Sequence, residues 1–147
     1  MQMAYREAKK AFRKDEVPVG AVVVSGEKVV GRGFNMVEVL QDPTAHAEMI
    51  AITAAANFLN SWRLDDAVLY VTKEPCPMCA GAIYLSRIPH VVFGVSDSRM
   101  GACGSAVDML HNSNLHSNIA VTRGILEAKC LEVLQAFFQK LREKNNQ

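Results

Sequence analysis

No stretch of the chain is apolar for the ~20 consecutive residues that a bilayer-crossing helix needs, so no membrane span is predicted. An excess of charge of one sign is missing too. Sixteen Lys and Arg stand against 15 Asp and Glu, a net charge of +1. That balance gives no field able to gather a polyanion over the whole surface, so any nucleic-acid site has to be a local patch. Met1 to Asp15 is charged throughout and lacks the apolar core of a secretory leader, which predicts a cytoplasmic location. The four Cys then read as reduced thiols or metal ligands and not as a disulfide framework. Repeats, linkers and low-complexity tracts are absent, and the length suits one domain over residues 1–147. A domain of this size buries roughly 70% of its unfolded surface and needs no staple to fold.

What is present is an alternation of helical and extended patterns. Ala4, Ala8, Ala11 and Phe12 recur at helical spacing, with Lys9, Lys10 and Arg13 opposite, and predict a helix over Met3–Lys14. Runs at Val17–Ser25 and Lys28–Gly33, separated by Ser25-Gly26-Glu27, predict a hairpin. Met36–Asp42 is predicted as a loop, and Asp42-Pro43-Thr44 as the opening of a long helix through Asn60. Further strands are predicted at Ala67–Thr72, His90–Val95 and Ile119–Thr122. Helices are predicted at Cys76–Ser86, with Pro77 in its first position, and at Ile125–Arg142, followed by a frayed polar tail. Gly94–Gly104 reads as an active loop and Ser105–Leu110 as a helical turn or two. Helices interleave with the later strands, so the expected class is α/β: a three-layer α/β/α sandwich around a mixed five-stranded sheet, with an antiparallel hairpin first.

Two short motifs carry chemistry: His46-Ala47-Glu48 and Pro75-Cys76-Pro77-Met78-Cys79. One His and two Cys suit zinc and leave its fourth position for water, which is the catalytic arrangement; structural sites are closed by four protein ligands. No second Cys-x-x-Cys or His-x₃-His pair offers a fourth ligand at a familiar spacing. If Cys76 caps its helix, Cys79 faces the same side, and both sulfurs lie at the positive end of the helix dipole, which favours thiolate. Glu48 is close enough to His46 to move protons for a water at the metal. A lone Cys-x-x-Cys is more often structural or redox-active, and a lone His-x-Glu carries little; the two together, in this order, point to catalytic zinc, one ion per chain. Cys103 and Cys130 read as buried spare thiols, and His90, His111 and His116 as structural or solvated.

The chain resembles the bacterial tRNA adenosine deaminases of the cytidine deaminase superfamily. The resemblance rests on Glu16-Val-Pro-Val-Gly-Ala-Val22, Asp42-Pro-Thr-Ala-His-Ala-Glu48, Glu74-Pro-Cys76, Ser86-Arg-Ile88, Val91-Val-Phe-Gly94 and the terminal Phe137-Phe138, and runs from Tyr5 to about Arg142. It implies a cytidine deaminase-like fold and a homodimer that converts adenosine to inosine at the wobble position of a tRNA anticodon stem-loop. His46, Cys76 and Cys79 match the zinc ligands and Glu48 the proton shuttle. Asn35 matches the residue that holds the flipped nucleotide, and Pro18, Val19 and Ala47 would line the base pocket. Arg87, Asp97, Phe138 and Arg142 fall where the family meets the anticodon loop. Lys73 departs from the pattern, standing where the family commonly has an apolar residue. Pro77 and the Asp42–Glu48 stretch are shared with guanine deaminases, so a free-purine or nucleoside deaminase is the alternative enzyme. A binding module with a closed structural zinc is the alternative of another class, against which Glu48 argues.

Overall fold

A computed structural model describes residues 1–147. In chain order its elements are α1 (Gln2–Arg13), β1 (Gly20–Ser25), β2 (Lys28–Phe34), α2 (Val37–Leu40), α3 (Ala47–Leu59), β3 (Ala67–Lys73), α4 (Pro77–Leu85) and β4 (His90–Val95). A two-residue pair follows, β5 (His111–Asn112) and β6 (Ser117–Asn118), then β7 (Ala120–Thr122) and α5 (Glu127–Asn145). The main sheet has five strands in the order β2-β1-β3-β4-β7. β1 is antiparallel to both β2 and β3, whereas β3, β4 and β7 run parallel. The expected mixed sheet is therefore present.

The two faces of the sheet follow from strand alternation. Ala21 and Val23 of β1, Leu69 and Val71 of β3, and Val91 and Phe93 of β4 point into one core with Ala51 and Ala55 of α3 and Ile83 of α4. The opposite face carries α1 and α5, which meet through the edge-on rings of Phe12 and Phe137, 6.2 Å apart. Gly94 on that face lies against Cys130 of α5. The α3 face is packed backbone to backbone. Ala47, Ala51 and Ala55, four residues apart, form a stripe without bulk, and Gly31 and Gly33 of β2 lie directly beneath it. A Cβ on Gly33 would sit 2.8 Å from Ala51 N and 2.9 Å from Ile50 Cβ, and closer still to Ala47 O. This contact fixes the height of α3, and hence of its first turn, above the sheet.

Four local expectations change. The long helix does not open at Asp42: Asp42 Oδ1 takes the Thr44 N–H at 2.8 Å and its hydroxyl at 2.7 Å, which holds a turn and delays helical bonding to Ala47. The Met36–Asp42 loop contains the short helix α2, stopped by Gln41 in the left-handed region (φ 51°). Ser105–Leu110 is not helical; Cys103 bridges Asp108 in extended fashion, and Asp108 Oδ1 accepts from the Leu110 and His111 amides. The last helix begins at Glu127, after Leu126 at φ 53°, and continues through Arg142 to Asn145, so most of the polar tail is helical.

Candidate metal and substrate site

The chemistry-bearing residues meet where two helices begin. His46 is the N-cap of α3 (φ −76°, ψ 151°) and Cys76 the N-cap of α4 (φ −73°, ψ 173°), with Pro77 at the first helical position. Cys79 follows one turn into α4 and is fully buried. β3 delivers the Glu74-Pro75-Cys76 corner at its C-terminal end, and the hairpin places α3 beside it. As a result His46 Nδ1 lies 3.6 Å from Cys76 Sγ and 3.5 Å from Cys79 Sγ. The three ligand atoms all fall within 4.8 Å of one another, a set able to hold a metal ion. Residues 30 and 33 apart in sequence are thus brought to one point.

Contacts within the set act on the two thiols in opposite directions. The hydrogen bond from Cys79 holds Cys76 down to about 4 against the opposing effect of burial. Cys79, which keeps the proton, is pushed far up by that same bond and by burial. The bond to Cys76 raises His46. Glu48, in the first turn of α3 and only 4% exposed, has its carboxyl against the Cys79 thiol. Burial lifts it above the usual carboxylate range. A carboxyl so placed can both take and give a proton beside the ligand set.

A cleft of about 700 Å³ opens over this set, the size of a small-ligand pocket. His46, Ala47, Glu48 and Cys76 form its floor. Val19, Asn35, Asp97 and Phe138, all singled out in the sequence, also line it. Pro18 is buried just behind Val19, outside the lining. Arg87 is exposed, at φ 66° after the end of α4, with its guanidinium 5.8 Å from the centre of the Tyr84 ring, and does not reach the cleft. Arg142 borders a second, shallower depression that shares Phe138 with the first.

Sequence reasoning missed the carboxylates that hold this lining in place. Glu16, 1% exposed, accepts from Asn35 Nδ2 at 3.3 Å and from the Val39 amide at 2.7 Å. A carboxylate only accepts, so the Asn35 amide is oriented with Oδ1 and one N–H left for a ligand. Glu74, 3% exposed, accepts from the Asp97 amide at 3.2 Å and from Ser105 Oγ at 2.8 Å, and anchors the Gly- and Ser-rich loop to the end of β3. The only signal for either was its place in a family-like string, beside Pro18 or before Pro75-Cys76.

Comparison with known proteins agrees with this geometry. The model of the MafB19-like deaminase family matches residues 1–142. A tRNA-specific adenosine deaminase of Bacillus subtilis (strain 168) is 46% identical over 144 residues, covering 98% of this chain and 89% of that protein. A solved structure from studies of A-to-I editing by tRNA:A34 deaminases at the wobble position of transfer RNA superposes with a TM-score of 0.87 at 41% identity, covering 91% of this chain and 97% of the other. Guanine deaminase from Bacillus subtilis superposes less completely, with a TM-score of 0.62 at 39% identity over 65% of this chain and 61% of that one. With a deaminase family model over nearly its whole length and a relative of this identity, the chain belongs to the tRNA-specific adenosine deaminase family.

Proposed function

We propose that this chain catalyses the zinc-dependent hydrolytic deamination of adenosine to inosine at the wobble position of a tRNA anticodon loop. The observation that carries the reading is the convergence of His46, Cys76 and Cys79 beside the buried Glu48, at the floor of a cleft of nucleoside size. Zinc is favoured by donor chemistry and by spacing. Tetrahedral bonds of ~2.3 Å to sulfur and ~2.05 Å to nitrogen require an N···S edge of about 3.6 Å, and the two edges measure 3.6 and 3.5 Å. One zinc per chain would be held by His46, Cys76 and Cys79. When bound, the ion supplies the acidity that makes water a nucleophile near neutral pH.

The chain's own residues do the rest. Glu48 accepts one proton of the attacking water through its carboxylate and gives it to N1 of the purine ring, then takes the remaining hydroxyl proton and gives it to the departing amine. Oxygen bonds to C6 as the C6–N bond breaks and ammonia leaves. Asn35, with its amide fixed by Glu16, holds the extruded nucleotide by the edge it presents. Ala47 and Val19 flank the base, with Pro18 setting the backbone behind Val19. An adenine in an anticodon loop is already unpaired, so extruding it into so small a cleft costs least there. Phe138 and Asp97 at the rim, and Arg87 and Arg142 beyond it, are assigned to the surrounding loop. No helix is long and apolar enough to cross a membrane, and the proposed setting is the cytoplasm, where the tRNA is. A homodimer is proposed as the working assembly; Leu85, 68% exposed at the end of α4, is the kind of side chain such pairing would cover.

The test is ammonia and inosine release from an anticodon stem-loop with adenosine at the wobble position, measured beside free adenosine and guanine. The reading expects inosine from the stem-loop. Rapid ammonia from guanine with the stem-loop untouched would replace it with a guanine deaminase.

A further inference from the structure

The cleft has the wrong charge for a polyanion. Asp15, Glu16, Glu38, Glu48, Glu74 and Asp97 all line it, against two cations, Lys14 and Lys73. Glu16, Glu48 and Glu74 are buried and committed to internal partners. Asp15 is paired at the outer edge with Lys140 at 2.6 Å and Lys144 at 3.4 Å. Glu38 of α2 and Asp97 remain, and Asp97 is the one that stands beside Lys73. Its Oδ1 accepts the Arg99 and Met100 amides at 3.0 and 3.2 Å, and its Oδ2 faces the Lys73 ammonium at 3.0 Å. Every oxygen of Asp97 is thus engaged inside the chain. Lys73 is not exhausted in the same way: an ammonium has three donors, its one ion pair is with Asp97, and its side chain is 32% exposed.

Position adds to chemistry. Lys73 is the last residue of β3, three before Cys76, and next to Glu74, which ties down the amide of Asp97. The stem of Lys73 therefore leaves a rigid strand end, and its ammonium is held on the cleft side by a carboxylate that is itself fixed by two backbone amides. A charge so pre-placed loses little freedom when a ligand anion arrives. We propose that Lys73 receives a substrate phosphate at the mouth of the cleft, with Asp97 as the internal partner that holds its ammonium there. The pair is itself neutral where Asp97 alone would repel RNA, and it offers the free N–H groups to the phosphate next to the extruded nucleotide. This inference rests on the RNA substrate proposed above.

The experiment measures kcat/KM for inosine formation on the wobble-adenosine stem-loop as a function of salt, using zinc-loaded protein and Lys73→Met, Lys73→Gln and Lys73→Arg. Removing one cation close to a phosphate is expected to lower kcat/KM about fivefold at low salt, from the interaction of two unit charges a few ångströms apart in water. The slope of log kcat/KM against log salt should become shallower by about 0.7, the value for one phosphate on a single strand. Lys73→Arg should restore the slope. Lys73→Gln keeps a polar end group and decides the matter if Lys73→Met melts early. Parallel salt slopes for parent and for both neutral variants overturn the inference, even if their rates fall, because a purely structural role would change rate without changing slope. A parent protein that forms no inosine from the stem-loop refutes the substrate reading itself and is distinguished by that first measurement.

Discussion

The contact between Gly33 and α3 makes the metal site depend on a residue that carries no chemistry. In Gly33→Ala the new Cβ would stand 2.9 Å from Ile50 Cβ and 2.8 Å from Ala51 N. The optimal separation of two carbons begins at about 3.5 Å, so the helix has to lift by roughly 0.6 Å. The obstructing atoms are backbone or Cβ, which no rotamer change can move. His46 is the N-cap of that helix, joined directly to Ala47, whose carbonyl is the nearest obstacle. Ligand distances in a metal site tolerate about 0.2 Å, so the required shift exceeds the tolerance about threefold. We expect Gly33→Ala to destabilise the fold by about 1–3 kcal/mol, as overpacking does, and to lose zinc to a chelator far sooner than the parent. Gly81→Ala is the control. Gly81 lies inside α4, beside the ligands, yet a Cβ there meets only Met109 Cε at 4.0 Å. That variant should gain about 0.5–1 kcal/mol from the better helix residue. Urea unfolding gives the stability, and elemental analysis after a timed chelator challenge gives the metal. Gly33→Ala with parental stability and full zinc retention would refute the claim that backbone packing sets the height of His46.

Glu48→Gln should keep the fold and the metal but lower turnover at least ~10²-fold, the usual size of a general acid–base contribution; near-normal turnover would remove Glu48 from proton transfer. Cys79→Ala should lose metal and melt early, because metal binding energy is also folding energy; parental zinc content by elemental analysis would contradict the ligand assignment. Phe137, 6% exposed between Phe12 and Phe138, and Phe138, 40% exposed, should separate by role. Phe137→Ala is expected to cost about 3–5 kcal/mol in urea, whereas Phe138→Ala should cost far less and instead weaken stem-loop turnover, a stacked base being worth about 1–3 kcal/mol. Asp97 gives a pH test: burial pushes its carboxyl up, but the Lys73 ammonium and the Arg99 and Met100 amides together hold it below 3.8. A depressed carboxylate stabilises the folded chain above its unfolded pKa, and that contribution is lost as pH falls through the folded value. Carbon-13 NMR should therefore find Asp97 titrating below the ordinary carboxylate range, and higher in Lys73→Met; an unchanged value in that variant would deny the ion pair.

The sequence by itself determined the layering and singled out His46, Cys76 and Cys79, the set the fold gathers, with Glu48 beside them. His46-Ala47-Glu48 and Pro75-Cys76-Pro77-Met78-Cys79 are short because a helix start presents its cap and first turn to one point, so spacing of one to three residues encodes geometry directly. The five strands were equally legible, since β-branched runs and periodicity are local properties. Tertiary structure alone decided what depends on partners distant in sequence. It placed Glu16 under Asn35 and Glu74 under Asp97, pairings across 19 and 23 residues that no local pattern announces. It delayed the start of the long helix to Ala47, where Asp42 holds the preceding turn, and left Ser105–Leu110 in turns and bends because Asp108 takes the Leu110 and His111 amides. It also set burial and the contact between Cys76 and Cys79 acting on the two thiols in opposite directions. Lys73 shows the division most plainly: in the sequence it is a residue out of pattern, and only the fold sets its ammonium 3.0 Å from Asp97 at the mouth of an acidic cleft.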